Sequence, residues 1–276
     1  MTADLAATRR AYALDTVHAA GSRDPRLVDA FAATPREDYL GPPPWELHGG
    51  HGPRRRVHDP RLLYTDALVS LAGDRGINNG QPTLHAACLA AVAPQVGETV
   101  LHVGAGTGYY TAILAELVGA HGRVIAFEIE PDLARQARAN LRSHAQVEVV
   151  AGSGAQPPLP RADVIYVSAG ATHPLPAWLD ALARGGRLVF PLTPGAAWGV
   201  MLLVTHLDDA RYAARALMRV AFIGCIGARD DPAADTLASA LSRRSLADVH
   251  SLRRGTPPDD TAWCIGAGWW LSTAPP

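Results

Sequence analysis

Short apolar runs rich in β-branched residues alternate with longer amphipathic segments through the middle of the chain. Glu98 to Val103 reads as a buried strand. Tyr109 to Val118 reads as a helix, because Ile113, Leu114 and Leu117 share one face. Arg123 to Glu128 predicts a second strand, and Pro131 to Arg142 a helix opened by proline. Val147 to Val150 and Asp163 to Ser168 predict a third and a fourth strand, followed by a helix over Pro174 to Arg184. Gly186 to Leu192 and Val200 to Thr205 predict a fifth and a sixth. Ahead of this block, Thr83 to Ala93 reads as a helix with Pro82 at its start. The alternation argues for an α/β fold with a parallel sheet covered by helices on both faces.

The flanks are less regular. Helices are expected over Ala7 to Ala20 and from Asp24-Pro25 to Ala33, and loop over Gly41-Pro42-Pro43-Pro44 and His48 to Pro53. Toward the C-terminus, Ala213 to Ile223 predicts a strand pair or one long strand. Asp231 to Ser242 predicts a helix and Cys264 to Leu271 a closing strand. Three regions follow: a helical and loop region over 1–60, a core over 61–225, and an extension over 226–276. Hydrophobic residues at 48% and charged residues at 18% suit a chain of 276 residues with a sizeable core. A formal net charge of -1 gives no basic field for nucleic acid. Arg54-Arg55-Arg56 is too short to change that reading. Cys88, Cys225 and Cys264 are widely spaced, without a disulfide or zinc pattern. The first residues lack the apolar core of a signal peptide, and no apolar run approaches the ~20 residues that cross a bilayer. The expectation is a reducing cytoplasm, with no membrane partner.

The strongest chemical signal is Val100-Leu101-His102-Val103-Gly104-Ala105-Gly106-Thr107-Gly108-Tyr109-Tyr110, an apolar strand that runs into a glycine-rich turn and then a helix. Such a turn lets the backbone approach a ligand closely, and the helix start offers free N–H groups to an anionic group. The spacing G-x-G-x-G, with Tyr109 after the last glycine, departs from the dinucleotide fingerprint, and no Gly-Lys-Ser/Thr follows to make a P-loop. Glu128 ends the next strand, where a carboxylate can accept hydrogen bonds from both hydroxyls of a ribose. Gly152-Ser153-Gly154, after the third strand, falls where such sheets line an adenine pocket.

With these residues in place, the chain resembles the protein-L-isoaspartate O-methyltransferase family. The segment from Glu98 to Leu141 looks like that family's first motif with the following helix and strand, and Ala162 to Pro194 looks like its later motifs. Thr34-Pro35-Arg36-Glu37-Asp38-Tyr39 is similar to its Pro-Arg-Glu stretch, and Gln81-Pro82 to its substrate-side motif. The resemblance covers roughly residues 25 to 225. It implies a Rossmann-like doubly wound methyltransferase sheet with an N-terminal helical region and a C-terminal extension. It also implies S-adenosylmethionine as cofactor and an isoaspartyl carboxylate in a protein or peptide as acceptor. Carried over, Gly104, Ala105, Gly106, Thr107 and Gly108 would hold the methionine part, Glu128 with Ile129 the ribose side, and Gly152, Ser153 and Ser168 the rest of the cofactor. Two positions depart from the family pattern. Ile77-Asn78-Asn79-Gly80-Gln81-Pro82 puts Gly80 where the family has serine, and Ser153 stands where it has aspartate. Asn78 and Asn79 offer a replacement donor.

Methyl transfer from a sulfonium is an in-line displacement with a neutral leaving group. A carboxylate acceptor is already ionised at pH 7 and needs no base. Alignment and exclusion of water then carry the catalysis, and orientation alone can supply ~7–11 kcal/mol. The catalytic-side candidates are therefore Asn79, Gly80, Gln81 and His85, with His85 the first choice as a base should the acceptor be an alcohol or an amine. His48, His51 and His58 form too loose a set for a metal site, and no metal is expected. Trp263, Trp269 and Trp270 read as core or interface. Three alternatives stay open: the same fold acting on another peptide or a small molecule, a non-catalytic cofactor-binding module, and a nicotinamide oxidoreductase, which Tyr109 argues against.

Overall fold

The computed structural model describes residues 2–49, 54–195, 198–208 and 211–276. The chain divides into two compact units, one comprising Met1–Glu98 with Ala105–Gly152, the other Thr99–Gly104 with Ser153–Pro276.

The first unit opens with helices α1 (Thr2–Ala19) and α2 (Pro25–Ala33). The Asp24 side chain caps α2 by accepting from the Arg26 N–H, and Pro25 begins it. A small antiparallel sheet follows, made of β1 (Trp45–His48), β2 (Arg55–Val57), β3 (Leu68–Ala72) and β4 (Ile77–Asn78), in the order β2-β1-β3-β4. Leu40, Trp45, Val57, Leu63 and Val69 form the apolar cluster it rests on. The sequence reading expected loop over Gly41–Pro44 and His48–Pro53 and named no strand before Glu98: β1 and β2 are short and flanked by glycine and proline, so neither shows enough alternation to be read as a strand. Part of that expected loop, residues 50–53 with His51, lies outside the described residues.

Arg36 organises this region. Its side chain is fully buried, and the guanidinium donates to the carbonyls of Leu63, Thr65 (2.9 Å) and Ala67 (3.0 Å). The faces of Tyr12 and Tyr109 flank it, each ring centroid 5.8 Å away. One side chain thereby fixes the path of residues 63–67. Asp66, inside that segment, accepts from Gln81 Nε2 (2.7 Å) and from the Thr83 N–H (2.7 Å) at the start of α3 (Pro82–Val92).

Also in the first unit, α4 (Tyr109–Val118), β6 (Arg123–Glu128), α5 (Pro131–Asn140) and β7 (Val147–Ala151) continue the chain, with β5 (Thr99–Val103) belonging to the second unit. β6 and β7 pair in parallel from Val124↔Val147 to Glu128↔Ala151, with α5 as the crossover.

In the second unit, β5 and β8 (Ala162–Val167) are parallel, as are β8 and β9 (Leu182–Leu192). Beyond β9 the sheet is antiparallel, through β10 (Gly199–Asp208), β11 (Arg211–Val220), β12 (Ser251–Arg254), β14 (Trp269–Ser272) and β13 (Ala262–Gly266). The expected parallel arrangement therefore stops at β9, because β9, β10 and β11 follow one another without a crossover helix. Helix α6 (Pro176–Ala181) is shorter than expected, since pairing of Leu182 with Ala162 draws the chain into β9. The closing strand is a hairpin, turned at Ala267-Gly268 where Gly268 takes φ +75°. Helix α7 (Asp231–Arg243) is capped by Asp230, which accepts from the Ala233 N–H. Trp263, Trp269 and Trp270 are buried, as expected of core residues.

Replacing Arg36 with methionine leaves the carbonyls of Leu63, Thr65 and Ala67 without their donor. The expected cost is about 3 kcal/mol, or roughly 6–12 °C of Tm in a chain of this size. A thermal melt within 2 °C of the parent would contradict the role assigned to Arg36.

Candidate active site

The glycine-rich segment passes from the second unit at Gly104 into the first at Ala105. Within the first unit, Ala105 N–H donates to Phe127 O (3.1 Å), and Gly108 N–H closes a turn on Ala105 O (3.0 Å). Gly106 and Gly108 both take positive φ, +57° and +96°. Gly108 is also a packing glycine, because a Cβ there would lie 2.7 Å from Leu141 Cδ1. Gly106 turns its N–H onto Glu128, whose Oε2 accepts at 2.6 Å, while Oε1 accepts from the Glu130 N–H at 2.9 Å. Glu128 is buried at 5% exposure. Burial pushes its carboxyl above the usual glutamate range, against the opposing pull of the N–H groups of Glu130 and Gly106. Ile129, next in sequence, leaves its side chain 37% exposed, an apolar surface beside the carboxylate.

Thr107 is buried, and its Oγ1 has no hydrogen-bond partner among the described residues; its carbonyl accepts from Asn140 Nδ2 (2.9 Å). A buried hydroxyl without a partner is costly, so its place inside a glycine turn calls for an explanation. Leu71 leans over the same turn, its Cδ1 3.2 Å from where a Gly106 Cβ would stand. Arg75, beyond β3, binds both Asp132 oxygens and Glu130 at the start of α5. Gly152 N–H donates to Glu128 O (2.9 Å).

The catalytic-side candidates lie together in the first unit. Asn78 Oδ1 accepts from the Gly80 N–H (2.9 Å), and Asn79 Oδ1 from the Val69 N–H (2.8 Å). Both side-chain oxygens are therefore spent on shaping the turn. Asn79 Nδ2 is buried and without a partner among the described residues. Gln81 is tied to Asp66, and His85 is buried, with its ring stacked on Tyr110. Sequence reasoning missed Arg36 as an organiser, and missed Asp66, Leu71, Arg75 and Tyr110. Their contacts span 15 residues or more and leave no local signal.

In the second unit, Gly104 sits beside Ser168, whose carbonyl would be 3.5 Å from a Cβ at Gly104. Ser168 N–H donates to Val103 O (2.8 Å), and its Oγ meets His102 Nε2 at 3.1 Å. Burial drives the His102 imidazole down to about 3, so this hydrogen bond is between neutral groups. Ser153 Oγ accepts from the Ala155 N–H (3.2 Å) and contacts Ile226 O (3.4 Å). Among the described residues no three His, Cys, Asp or Glu side chains are grouped to hold a metal ion, and no helix is long and apolar enough to cross a membrane.

Two solved structures share this fold. One, a protein-L-isoaspartate O-methyltransferase, aligns with a TM-score of 0.67 at 24% identity, over 85% of this chain and 68% of its own. The other, a Plasmodium falciparum protein described as a putative member of the same group and crystallised with S-adenosyl-L-homocysteine, aligns with a TM-score of 0.65 at 18% identity, over 79% and 98%. The fold is thus the Rossmann-like one of S-adenosylmethionine-dependent methyltransferases. The family model for protein-L-isoaspartate(D-aspartate) O-methyltransferase matches residues 53–230. The Aeropyrum pernix protein-L-isoaspartate O-methyltransferase is 34% identical over 208 residues, 73% of each chain. The Rhodopseudomonas palustris protein-L-isoaspartate O-methyltransferase 1 is 34% identical over 230 residues, 80% of this chain and 84% of its own. The chain belongs to the protein-L-isoaspartate(D-aspartate) O-methyltransferase family.

Because native His102 stays neutral while the unfolded chain takes up a proton near pH 6.5, stability present above that pH is lost as pH falls from 6.5 toward 3. At pH 5 the loss from this one group is about 2 kcal/mol. In His102→Asn that part of the acid slope is expected to vanish in denaturant unfolding at pH 7.5 and 5. An unchanged slope would contradict the assignment.

Proposed function

We propose that this enzyme transfers the methyl group of S-adenosylmethionine to the free carboxylate of isoaspartyl residues in proteins or peptides. Its family membership and its two 34%-identical relatives support that acceptor. The observation that carries the cofactor site is the buried Glu128 carboxylate held against the Gly106 N–H. In this reading Ala105, Gly106, Thr107 and Gly108 hold the methionine part, with Gly104 preceding them. Glu128 takes the ribose diol, and Ile129, Gly152, Ser153 and Ser168 serve the remaining cofactor contacts. The bound cofactor supplies an electrophilic methyl on a sulfonium.

The rest is positioning by this chain. The Thr107 hydroxyl gains the hydrogen-bond partner it lacks. The turn of Asn79, Gly80 and Gln81, fixed through Asp66 and Arg36, presents the acceptor side. The carboxylate acceptor arrives ionised, so no side chain has to remove a proton. Orientation and exclusion of water lower the barrier. The core is assigned to residues 61–225, inside the family match, with 226–276 as an extension. The reducing cytoplasm is the compartment we infer, in keeping with three cysteines that are buried and form no disulfide among the described residues. A second reading, transfer to a different peptide or small-molecule acceptor, draws support from the His85 ring that stands against Gly80.

Labelled S-adenosylmethionine with an isoaspartyl peptide should give a base-labile methyl ester, and the same peptide with ordinary aspartate should not. Cofactor binding without ester on either peptide would overturn the acceptor assignment. Glu128→Gln should weaken cofactor binding by roughly 10–100-fold, as loss of a charged hydrogen-bonding partner does. In the parent enzyme, cofactor affinity should start to fall at a pH above the usual glutamate value of 4.5 and stay level in the variant. Calorimetry from pH 8 downward checks both, and a parent affinity that falls no more with pH than the variant's would refute the ribose role.

A further inference from the structure

The turn before α3 contains a side chain in a place that belongs to another residue. Gly80 takes φ +76°, and a Cβ built on it would lie 2.2 Å from His85 Nε2 and 2.7 Å from Cδ2. A side chain at position 80 would force that imidazole out of its place. The ring is held from behind: it stacks on Tyr110 with centroids 3.7 Å apart and planes 13° from parallel. Tyr110 returns to the same turn, its hydroxyl donating to Gly80 O at 3.3 Å. The other peptide group of the turn is held too, because the Gly80 N–H donates to Asn78 Oδ1.

We propose that His85 is the positioning residue of the acceptor-side turn, a wedge clamped between Tyr110 and Gly80 that sets where residues 79–81 stand relative to the glycine-rich loop. The inference rests on the acceptor-side role proposed above for that turn. Tyr110 is the second residue of α4, whose N-cap is Gly108. The ring therefore joins the turn that faces the acceptor to the helix that begins at the cofactor loop. Gly80 permits this because it has no Cβ, and His85 occupies the space that the missing side chain leaves. The sequence departure at Gly80 and the histidine five residues on are one feature, not two.

Misplacement of a reacting group by about 1 Å can cost on the order of a hundredfold in rate without changing what is bound. His85→Ala should therefore lower kcat by roughly 10–100-fold on an isoaspartyl peptide while leaving the Kd for S-adenosylmethionine within about twofold. Tyr110→Phe keeps the stack and loses only the hydroxyl, so its loss should be a few-fold. Gly80→Ala should also cost tenfold or more, since its Cβ evicts the ring. The decisive comparison is the double variant Gly80→Ala/His85→Ala. Its activity should equal or exceed that of Gly80→Ala alone, because the clash has gone.

Multiplication of the two single losses in the double variant would overturn the proposal, as would a rise in KM with kcat unchanged in His85→Ala. Melting temperatures of the same four chains give a readout that needs no acceptor. If the parent enzyme methylates no isoaspartyl peptide, the substrate reading fails. The wedge is then judged on Tm alone: non-additive shifts sustain it and additive shifts refute it.

Discussion

A buried carboxylate held by two peptide N–H groups is the constraint on which the site depends. Glu128 ends β6 and is removed from water, which raises its carboxyl above the ordinary range. Such burial is tolerated because Gly106 and Glu130 each point an N–H at one of its oxygens. The left-handed turn at Gly106 is what aims the first of these, and Glu130, the N-cap of α5, supplies the second. Arg75 then joins Glu130 and Asp132 at the same helix start. The acid is thus held by the chain's own N–H groups, the preorganisation that the proposed recognition of a ribose diol requires.

The turn proposed to face the acceptor is built by a different device. Arg36 has no role at the surface. It spends its charge on the backbone carbonyls of residues 63–67, and Asp66 in that segment fixes the start of α3 through Gln81 and Thr83. A buried cation whose two terminal nitrogens donate to carbonyls stabilises a loop path that no apolar side chain could impose. Precision in the turn at Gly80 is therefore inherited from a residue more than forty positions earlier.

Much of this was legible in the sequence, for physical reasons. β5, β6 and α4 announce themselves because each is a continuous apolar or amphipathic run bounded by glycine or proline, and the G-x-G-x-G turn with Glu128 behind it has few other uses. The small sheet of β1 to β4 was not legible, since strands of two to five residues carry no periodicity. The antiparallel continuation after β9 was missed because apolar strands look alike whichever way they pair; only the missing helices between β9, β10 and β11 could have told. Arg36, Asp66 and the stack of His85 on Tyr110 arise from contacts between distant segments, which no local pattern reports. His85 was singled out by its place on the helix after Gln81-Pro82, yet its relation to Gly80 becomes visible only where the ring stands in the path of a Cβ.

The most direct test of the account is a crystal structure of the enzyme grown with S-adenosylhomocysteine. Both ribose hydroxyls should lie within hydrogen-bond distance of the Glu128 carboxylate, with the amino-acid end of the ligand against residues 105–108 and Thr107 Oγ1 newly partnered. A nucleoside bound elsewhere, or Glu128 still closed on Gly106 with no hydroxyl near it, would contradict the account at its foundation.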